Sequence, residues 1–183
     1  MPDHDYVVRF GWTPRHLILF PACILFVVVG AVMVRDGQTV AGVLGCVMGC
    51  MYIVVSVWAW LSRRVALAVT ADGITLGQLP PWPASHTARV SWTDIEGVVL
   101  WQQGRWWRAV RYVGVLRRPG APPLPGSARS PALRALNMAV VPANLPEDLV
   151  ADSRPISFWR LDKARFTAAV QQFRPDLPVV DHT

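Results

Sequence analysis

The segment that decides the fold is "WAWLSRRVALAVTADGITLG", Trp58–Gly77. It begins with aromatic and aliphatic residues, crosses two adjacent arginines, Arg63 and Arg64, and continues with apolar residues in alternation. Alternation with a period of two is typical of a strand that buries one face. The segment therefore predicts that the chain leaves an apolar helix and enters a half-buried sheet within a few residues.

Two uncharged apolar runs lie on the N-terminal side of these arginines. Residues 17–34 and 40–61 contain no Asp, Glu, Lys or Arg, and a short polar sequence joins them. As helices they would be ~27 and ~33 Å long, and the hydrocarbon core of a bilayer is ~30 Å thick. The sequence predicts a transmembrane helical hairpin over residues 17–61.

Two other interpretations of the apolar runs fit the sequence less well. A secretory signal peptide would need a small-residue cleavage site before a soluble segment, but the first run leads directly to a second one. A pair of core helices in a soluble protein would need cover on all sides, which a chain of 183 residues provides with difficulty.

Charges beside the two runs predict their orientation, because positive residues favour the cytoplasmic side of a membrane. The arginines are Arg9 and Arg15 before the first helix, Arg63 and Arg64 after the second, and Arg35, balanced by Asp36, in the loop. We expect a multi-pass protein of the cytoplasmic (inner) membrane with both termini in the cytosol. Residues 1–16 would then form a short cytosolic arm.

Specific side chains are assigned to the membrane interface and to helix packing. Tryptophan rings and arginine side chains favour the headgroup level. The expected interface anchors are Trp12, Arg15, Trp58, Trp60, Arg63 and Arg64. Gly42, Gly45 and Gly49 share one face of the second helix, where small residues let another backbone approach. That face would contact either a second chain or the first helix near Gly30, and the second interpretation is favoured because such patterns recur by chance.

Beyond Arg64 the sequence predicts a series of six or seven short antiparallel strands and a final helix. The first two strands form a β-hairpin with Asp72-Gly73 at its turn, because these residues tolerate the positive φ angle of a tight turn. The other strands are predicted at 88–92, 94–101, 105–118, 140–141 and 155–161. The insertion of residues 119–154 is rich in Pro and Arg, and a short helix is predicted within it at 132–138. The final helix is predicted at Lys163–Phe173, capped by Asp162.

Three stretches carry a family resemblance: "VTADGITL" (Val69–Leu76), "RVSWTDIEGVVL" (Arg89–Leu100) and "FWRLDKARFTAAVQQFRPDLPVVD" (Phe158–Asp181). Together they resemble the bacterial pleckstrin-homology-like (bPH) domain of small actinobacterial membrane proteins, many of which place a two-helix hairpin before the domain. The resemblance implies an α+β membrane protein whose residues 65–183 form a cytosolic, partly open antiparallel sandwich or barrel, capped by the C-terminal helix. It implies no catalysis and supplies no ligand residues. The insertion at 119–154 departs from the pattern and leaves the later strand order open.

Patterns that indicate enzymatic chemistry are lacking in the sequence. It contains no glycine-rich nucleotide motif, no His-Glu-x-x-His and no Gly-x-Ser-x-Gly. The cysteines, Cys23, Cys46 and Cys50, all lie in the apolar runs, where no His or acidic residue completes a metal site. We expect no catalytic residue, no cofactor, no metal and no small-molecule substrate.

A basic, aromatic segment is the candidate binding feature. It contains Arg105, Trp106, Trp107, Arg108 and Arg111. Arginine binds phosphate and carboxylate groups in a two-pronged manner, and tryptophan favours a membrane interface. Alternatively, the arginine stems lie on the tryptophan rings at a solvated end of a sheet, which is a common arrangement.

The expected function is therefore that of a membrane-anchored binding or scaffolding module without catalytic activity. Its partners would be anionic membrane lipids and a protein, or a second copy of the chain. The net charge of +6 is modest, and no feature indicates a nucleic-acid partner. The alternative is an accessory subunit of a membrane enzyme or transporter, held through the helical hairpin.

Overall fold

A computed structural model of the chain describes residues 5–104, 109–122, 124–125 and 145–182. Within these ranges the protein is α+β, with two long apolar helices followed by mostly antiparallel sheets. The helices are α1 (Pro14–Arg35), α2 (Thr39–Ser62), α3 (Glu147–Asp152) and α4 (Lys163–Phe173). The strands are β1 (Tyr6–Arg9), β2 (Val65–Thr70), β3 (Gly73–Leu76), β4 (Ala88–Ser91), β5 (Ile95–Gln103), β6 (Val110–Arg117), β7 (Arg154–Pro155) and β8 (Val179–His182).

The two long helices are each sufficient in length and composition to cross a bilayer. Their most apolar windows have mean hydropathies of 2.9 and 2.3, and only 6 % and 17 % of those windows are buried within the protein. Both helices are slightly longer than the sequence predicts, because α1 begins at Pro14 and α2 ends at Ser62. Between them, Gly37 has a φ of +88°, which a residue with a side chain rarely adopts.

Helices α1 and α2 contact each other through glycines. A Cβ on Gly30 would lie 2.7 Å from the carbonyl oxygen of Gly42, and one on Gly42 would lie 2.5 Å from that of Gly30. A Cβ on Gly49 would lie 2.7 Å from Cγ2 of Val27, whereas Gly45 has room for one. The small-residue face of α2 is therefore occupied by α1 of the same chain.

Strand β1 comes from the region that the sequence assigns to an arm. Its residues pair antiparallel with β2, Tyr6 opposite Val69 and Val8 opposite Leu67. The expectation of an arm over residues 1–16 is thus corrected, because Tyr6–Arg9 belong to a sheet. The β-domain is discontinuous in sequence, with the helical hairpin inserted between two neighbouring strands.

The strands form two sheets, in the orders β1-β2-β3-β4 and β7-β6-β5-β8. The predicted hairpin is confirmed: β2 and β3 pair antiparallel, with Gly73 at a φ of +152°. The predicted strands at 88–92 and 94–101 correspond to β4 and β5. A short 3₁₀ turn, Trp92–Asp94, separates them.

Several predictions for the C-terminal third are wrong. The segment 155–161 contributes only its first residue to β7, which is Arg154–Pro155. Residues 147–152, within the insertion, form a helix for which the sequence analysis gives no prediction. Strand β8 was not predicted, and it pairs with β5 in parallel, so the strands are not all antiparallel. The strand at 140–141 and the helix at 132–138 lie outside the described residues.

One hydrophobic core lies between the two sheets and α4. Phe166 and Val170 of α4 are fully buried against side chains of both sheets. The predicted cap is confirmed, since Oδ1 of Asp162 accepts a hydrogen bond from the backbone N–H of Arg165 at 3.1 Å. A second cluster, built on Trp101 and Leu149, packs α3 against the other face of the β5–β6 pair. The strands that the structure describes form two sheets that do not close into a barrel.

Candidate functional site

The candidate site lies where the helical hairpin joins the sheets. Strand β1 leads into α1, and α2 leads into β2, so both ends of the hairpin enter one sheet. The backbone N–H of Phe10 donates to the carbonyl of Arg64 at 2.9 Å, and that of Gly11 donates to Phe158 at 2.8 Å. These bonds fix the base of the hairpin to the β-domain without a linker.

An aromatic cluster packs the first turn of α1 against the β-domain. His16 is 3 % exposed, and its ring lies 5.4 Å from the ring of Phe158 and 5.6 Å from that of Trp12. Tyr52 of α2 lies 6.2 Å from Phe158. Nδ1 of His16 lies 2.9 Å from the backbone nitrogen of Thr13, completing the N-terminal cap of α1. His16 thus has a structural role at this junction.

Three arginines at the junction donate to backbone carbonyls. Nη2 of Arg15 is 2.9 Å from the carbonyl oxygen of Ala109, and Nη1 of Arg64 is 2.9 Å from that of Trp82. Nη1 of Arg9 donates to the carbonyl of Arg63 at 3.2 Å. Two of the predicted interface anchors, Arg15 and Arg64, therefore also hold the domain in place.

The remaining predicted anchors lie on or beside the long helices. Trp12, Trp58 and Trp60 are 50 %, 45 % and 49 % exposed, and Trp12 stacks on Phe20 with ring centroids 5.2 Å apart. Arg63 ends α2 in the left-handed conformation, with a φ of +47°. Their assignment to a membrane interface stays a prediction, based on the preference of tryptophan for that environment.

A cleft rich in cationic side chains opens beside the first turn of α1, and we call it the basic cleft. Its volume is about 420 Å³. Its cationic lining residues are Arg15, Arg111, Arg160 and Lys163; the others include Thr13, Pro14, Tyr112 and Trp159. No Asp or Glu is among the described residues that line it. The cleft can therefore attract an anionic group next to the start of an apolar helix.

The charge of the basic cleft is partly compensated at one edge. Nζ of Lys163 lies 2.7 Å from Oδ2 of Asp181, and both side chains are well exposed. Exposed pairs of this kind exchange readily with solvent ions. Arg111 and Arg160 are also exposed, and they provide the accessible guanidinium groups of the cleft.

Tyr112 lines the inner part of the basic cleft. Its ring stacks on Trp101 at a centroid distance of 4.2 Å, and its hydroxyl donates to Oε1 of Gln103 at 3.0 Å. Burial raises the pKa of Tyr112, so the phenol remains a neutral hydrogen-bond donor at physiological pH.

The predicted basic segment is described only in part. Arg105, Trp106, Trp107 and Arg108 lie outside the described residues, whereas Arg111 is exposed on β6 and lines the basic cleft. Arg160 and Lys163 come from a distant segment that the fold brings next to Arg111, so the sequence gives no reason to group the three cations. The local signal is two cations within four residues of Trp159.

The chain matches no family model, and neither a curated protein nor a solved structure matches it. Function is therefore inferred from the site. Groups of three or more His, Cys, Asp or Glu that could hold a metal ion do not occur in the part of the chain that the structure describes. The features that remain are the apolar helical hairpin, its fixed junction with the sheets, and the basic cleft at that junction.

Proposed function

We propose that the protein is a membrane-anchored, non-catalytic binding module whose β-domain recognises anionic lipid headgroups at the cytoplasmic face of the membrane. The observation that carries the proposal is the position of the basic cleft, which is lined by the first turn of α1. Because α1 is apolar from Leu17 onwards, that turn lies at headgroup level when the helix crosses the bilayer.

The strength of the attraction follows from the number of cations. Each basic residue close to an anionic leaflet contributes about 1 kcal/mol. Arg15, Arg111 and Arg160 together give roughly 3 kcal/mol of preference for anionic lipid, and Lys163 adds less because Asp181 is its partner. Arginine also forms two-pronged hydrogen bonds with phosphate oxygens.

The junction supports a fixed position for the cleft. Both ends of the hairpin enter adjacent strands, so the two ends lie on the same side of any membrane that the hairpin crosses. The flanking arginines favour the cytoplasmic side. We also propose that the β-domain is of the pleckstrin-homology-like type. Two sheets that pack on one core together with the C-terminal helix, α4, support this part of the proposal.

An accessory subunit held through the hairpin is the alternative. It would need a helix face that is free for a partner in the membrane. Gly42 and Gly49 face α1 of the same chain, so a partner subunit would have to bind the other faces of the hairpin, which are mostly exposed. Recognition of an acidic protein by the basic cleft would use the same cations. The experiment below distinguishes recognition of a protein from recognition of lipid.

The proposal is tested with the full chain in nanodiscs that contain a rising fraction of phosphatidylglycerol in phosphatidylcholine. Replacing Arg111 and Arg160 together with Ala should lower the preference for bound phosphatidylglycerol, counted by native mass spectrometry. Two cations at about 1 kcal/mol each predict a decrease of roughly thirtyfold. The matched control replaces two exposed arginines outside the cleft, Arg89 and Arg118.

A lipid preference unchanged in the Arg111/Arg160 variant would contradict the proposal. If lipid binding is unchanged but the same variant loses a co-purified acidic protein, the cleft serves a protein partner instead. An equal decrease in the control would indicate that only net charge matters.

A further inference from the structure

The loop between β3 and β4 lies at the end of the first sheet that is nearest the helical hairpin. Strand β2 begins at Val65, shortly after α2 ends, and β3 runs antiparallel to β2. The backbone N–H of Gly77, just after β3, donates to the carbonyl of Ala66 at 2.9 Å. The chain therefore returns to the end of α2 before it enters the loop. We call residues 79–85 the tryptophan loop.

The tip of the tryptophan loop is exposed and uncharged. Residues 81–85, Pro-Trp-Pro-Ala-Ser, are all exposed and contain no Asp, Glu, Lys or Arg. Trp82 is 55 % exposed, and most other large apolar side chains that are exposed in the described ranges belong to α1 and α2. A single exposed apolar ring is common on protein surfaces, so the meaning of Trp82 depends on where it lies and how its backbone is bonded.

Arg64 fixes the tryptophan loop to the base of the hairpin. Its Nη1 donates to the carbonyl of Trp82 at 2.9 Å, and its own carbonyl accepts a hydrogen bond from the backbone N–H of Phe10 at 2.9 Å. Phe10 precedes α1 and Arg64 follows α2, so these bonds hold Trp82 at the level where both helices leave the sheet. When the helices cross a bilayer, this level is the headgroup region.

The backbone of the tryptophan loop needs little water. Three of its residues are proline, which has no backbone N–H. The backbone N–H of Trp82 donates to the carbonyl of Leu79 at 3.2 Å. Four carbonyls of the loop accept hydrogen bonds within the protein, and they belong to Leu79, Trp82, Pro83 and Ala84. Groups that are already bonded lose little when they leave water, so the loop can enter a less polar environment.

We propose that the tryptophan loop is a further membrane contact, with the indole of Trp82 in the interface of the leaflet that surrounds the base of the hairpin. Indole rings favour this environment because they combine an apolar body with one N–H donor. The inference rests on the proposed crossing of the membrane by the hairpin, but it does not depend on headgroup recognition by the basic cleft. Together with the hairpin, the loop limits the tilt of the β-domain over the membrane.

The test uses fluorine NMR of the full chain, labelled with 5-fluorotryptophan, in phosphatidylcholine nanodiscs. A lipid with a nitroxide near the headgroup end of its acyl chain broadens the resonances of rings at the interface. The resonance of Trp82 is identified by its absence in Trp82→Phe, or in Trp82→Tyr if the first variant does not fold. We expect this resonance to lose most of its intensity when the nitroxide lipid is present.

Two other tryptophans serve as internal references. Trp92 is 7 % exposed, and its Nε1 donates to the carbonyl of Thr70 at the far end of β2. A strand of six residues is about 20 Å long, so the resonance of Trp92 should keep its intensity. Trp58 is 45 % exposed on α2, and broadening of its resonance reports that the hairpin is in the bilayer.

A pair of variants tests the role of Arg64. Arg64→Gln shortens the side chain and removes the guanidinium that donates to Trp82, so it should reduce the broadening at Trp82 and leave that at Trp58 unchanged. Arg63→Gln makes the same change of charge at the neighbouring, exposed residue and should leave both resonances as in the wild type. An equal reduction in the two variants would overturn the placement of the loop by Arg64.

Broadening at Trp82 that is no greater than at Trp92 would overturn the proposal. If Trp58 is broadened in that experiment, the hairpin still crosses the membrane and only the contact of the tryptophan loop is refuted. If Trp58 is not broadened either, the crossing itself is contradicted. A Trp82 resonance that neither the nitroxide lipid nor a water-soluble gadolinium chelate broadens would show that protein covers the ring, which also refutes the contact with lipid.

Discussion

Two ion pairs in the molecule have almost the same length but different surroundings. Nη2 of Arg117 lies 2.6 Å from Oδ2 of Asp152, and Nζ of Lys163 lies 2.7 Å from Oδ2 of Asp181. The side chains of the first pair are 13 % and 5 % exposed, and those of the second are 38 % and 44 % exposed. Because charges interact more strongly where water is excluded, burial rather than distance separates these pairs in energy.

The same difference separates the surroundings of the two pairs. The exposed pair borders the basic cleft, where several cations act together through a screened field. The buried pair joins α3 to the end of β6, where one guanidinium acts through its geometry. We therefore expect lipid binding at the basic cleft to depend on charge number and ionic strength, and the buried pair to depend on its individual atoms.

The largest effect is expected from breaking the buried pair. Asp152→Ala leaves the guanidinium of Arg117 buried without a carboxylate, which should cost about 3–5 kcal/mol of unfolding free energy. Arg117 keeps its hydrogen bond to the carbonyl of Ala121, so the loss should fall at the lower end of that range. Denaturant unfolding of the full chain in detergent micelles measures this loss of unfolding free energy.

Asp181→Ala is the matched control for the buried pair. It breaks an exposed pair of the same length and should cost at most about 1 kcal/mol. Equal losses in the two variants would show that burial does not distinguish the pairs.

An intermediate effect is expected from salt. Electrostatic screening acts over about 10 Å at 0.1 M ionic strength and over about 3 Å at 1 M. Between these concentrations the preference of the basic cleft for phosphatidylglycerol should fall about tenfold, because its cations are exposed. The free energy that the buried pair of Arg117 and Asp152 contributes to unfolding should change much less. A parallel loss of lipid preference and of this contribution would contradict the contrast between the two regions.

The smallest effect is expected at Tyr112, which lines the basic cleft. Tyr112→Phe removes the hydrogen bond to Gln103 but keeps the stacking on Trp101, at a cost of about 1 kcal/mol. Burial raises the folded-state pKa of Tyr112 above its ordinary value of 10.0. The stability that the neutral phenol contributes is therefore complete below pH 10 and is lost as the pH rises through the folded-state pKa.

The free energy of unfolding, measured from pH 9 to 11, checks the direction of this pH dependence. The wild type should lose stability above pH 10 more steeply than Tyr112→Phe. Burial also raises the pKa of Tyr6, which should leave a residual slope in the variant. Identical slopes would show that Tyr112 does not titrate differently in the folded protein.

Features that depend on neighbouring residues could be predicted from the sequence. The long helices follow from runs of apolar residues, the β2–β3 hairpin from Asp72-Gly73, and the start of α4 from the cap at Asp162. In each case the determining residues lie within a few positions of the element they form. These predictions agree with the structure to within a few residues.

Features that depend on distant pairing could not be predicted. The sequence of Tyr6–Arg9 does not indicate a strand, because its partner, Val65–Thr70, is distant along the chain. Val179–His182 likewise forms a strand through its pairing with β5, which is also distant along the chain. The basic cleft likewise combines residues 13–15 with residues near 111 and 160.

The insertion of the helical hairpin between β1 and β2 has a consequence for biogenesis. During synthesis β1 leaves the ribosome before either long helix, and its partner strand follows only after both helices have been made. The first sheet therefore cannot be completed until α2 has been synthesised. Pairing of β2 with β1 requires both ends of the hairpin to lie on the same side of any membrane that the hairpin crosses.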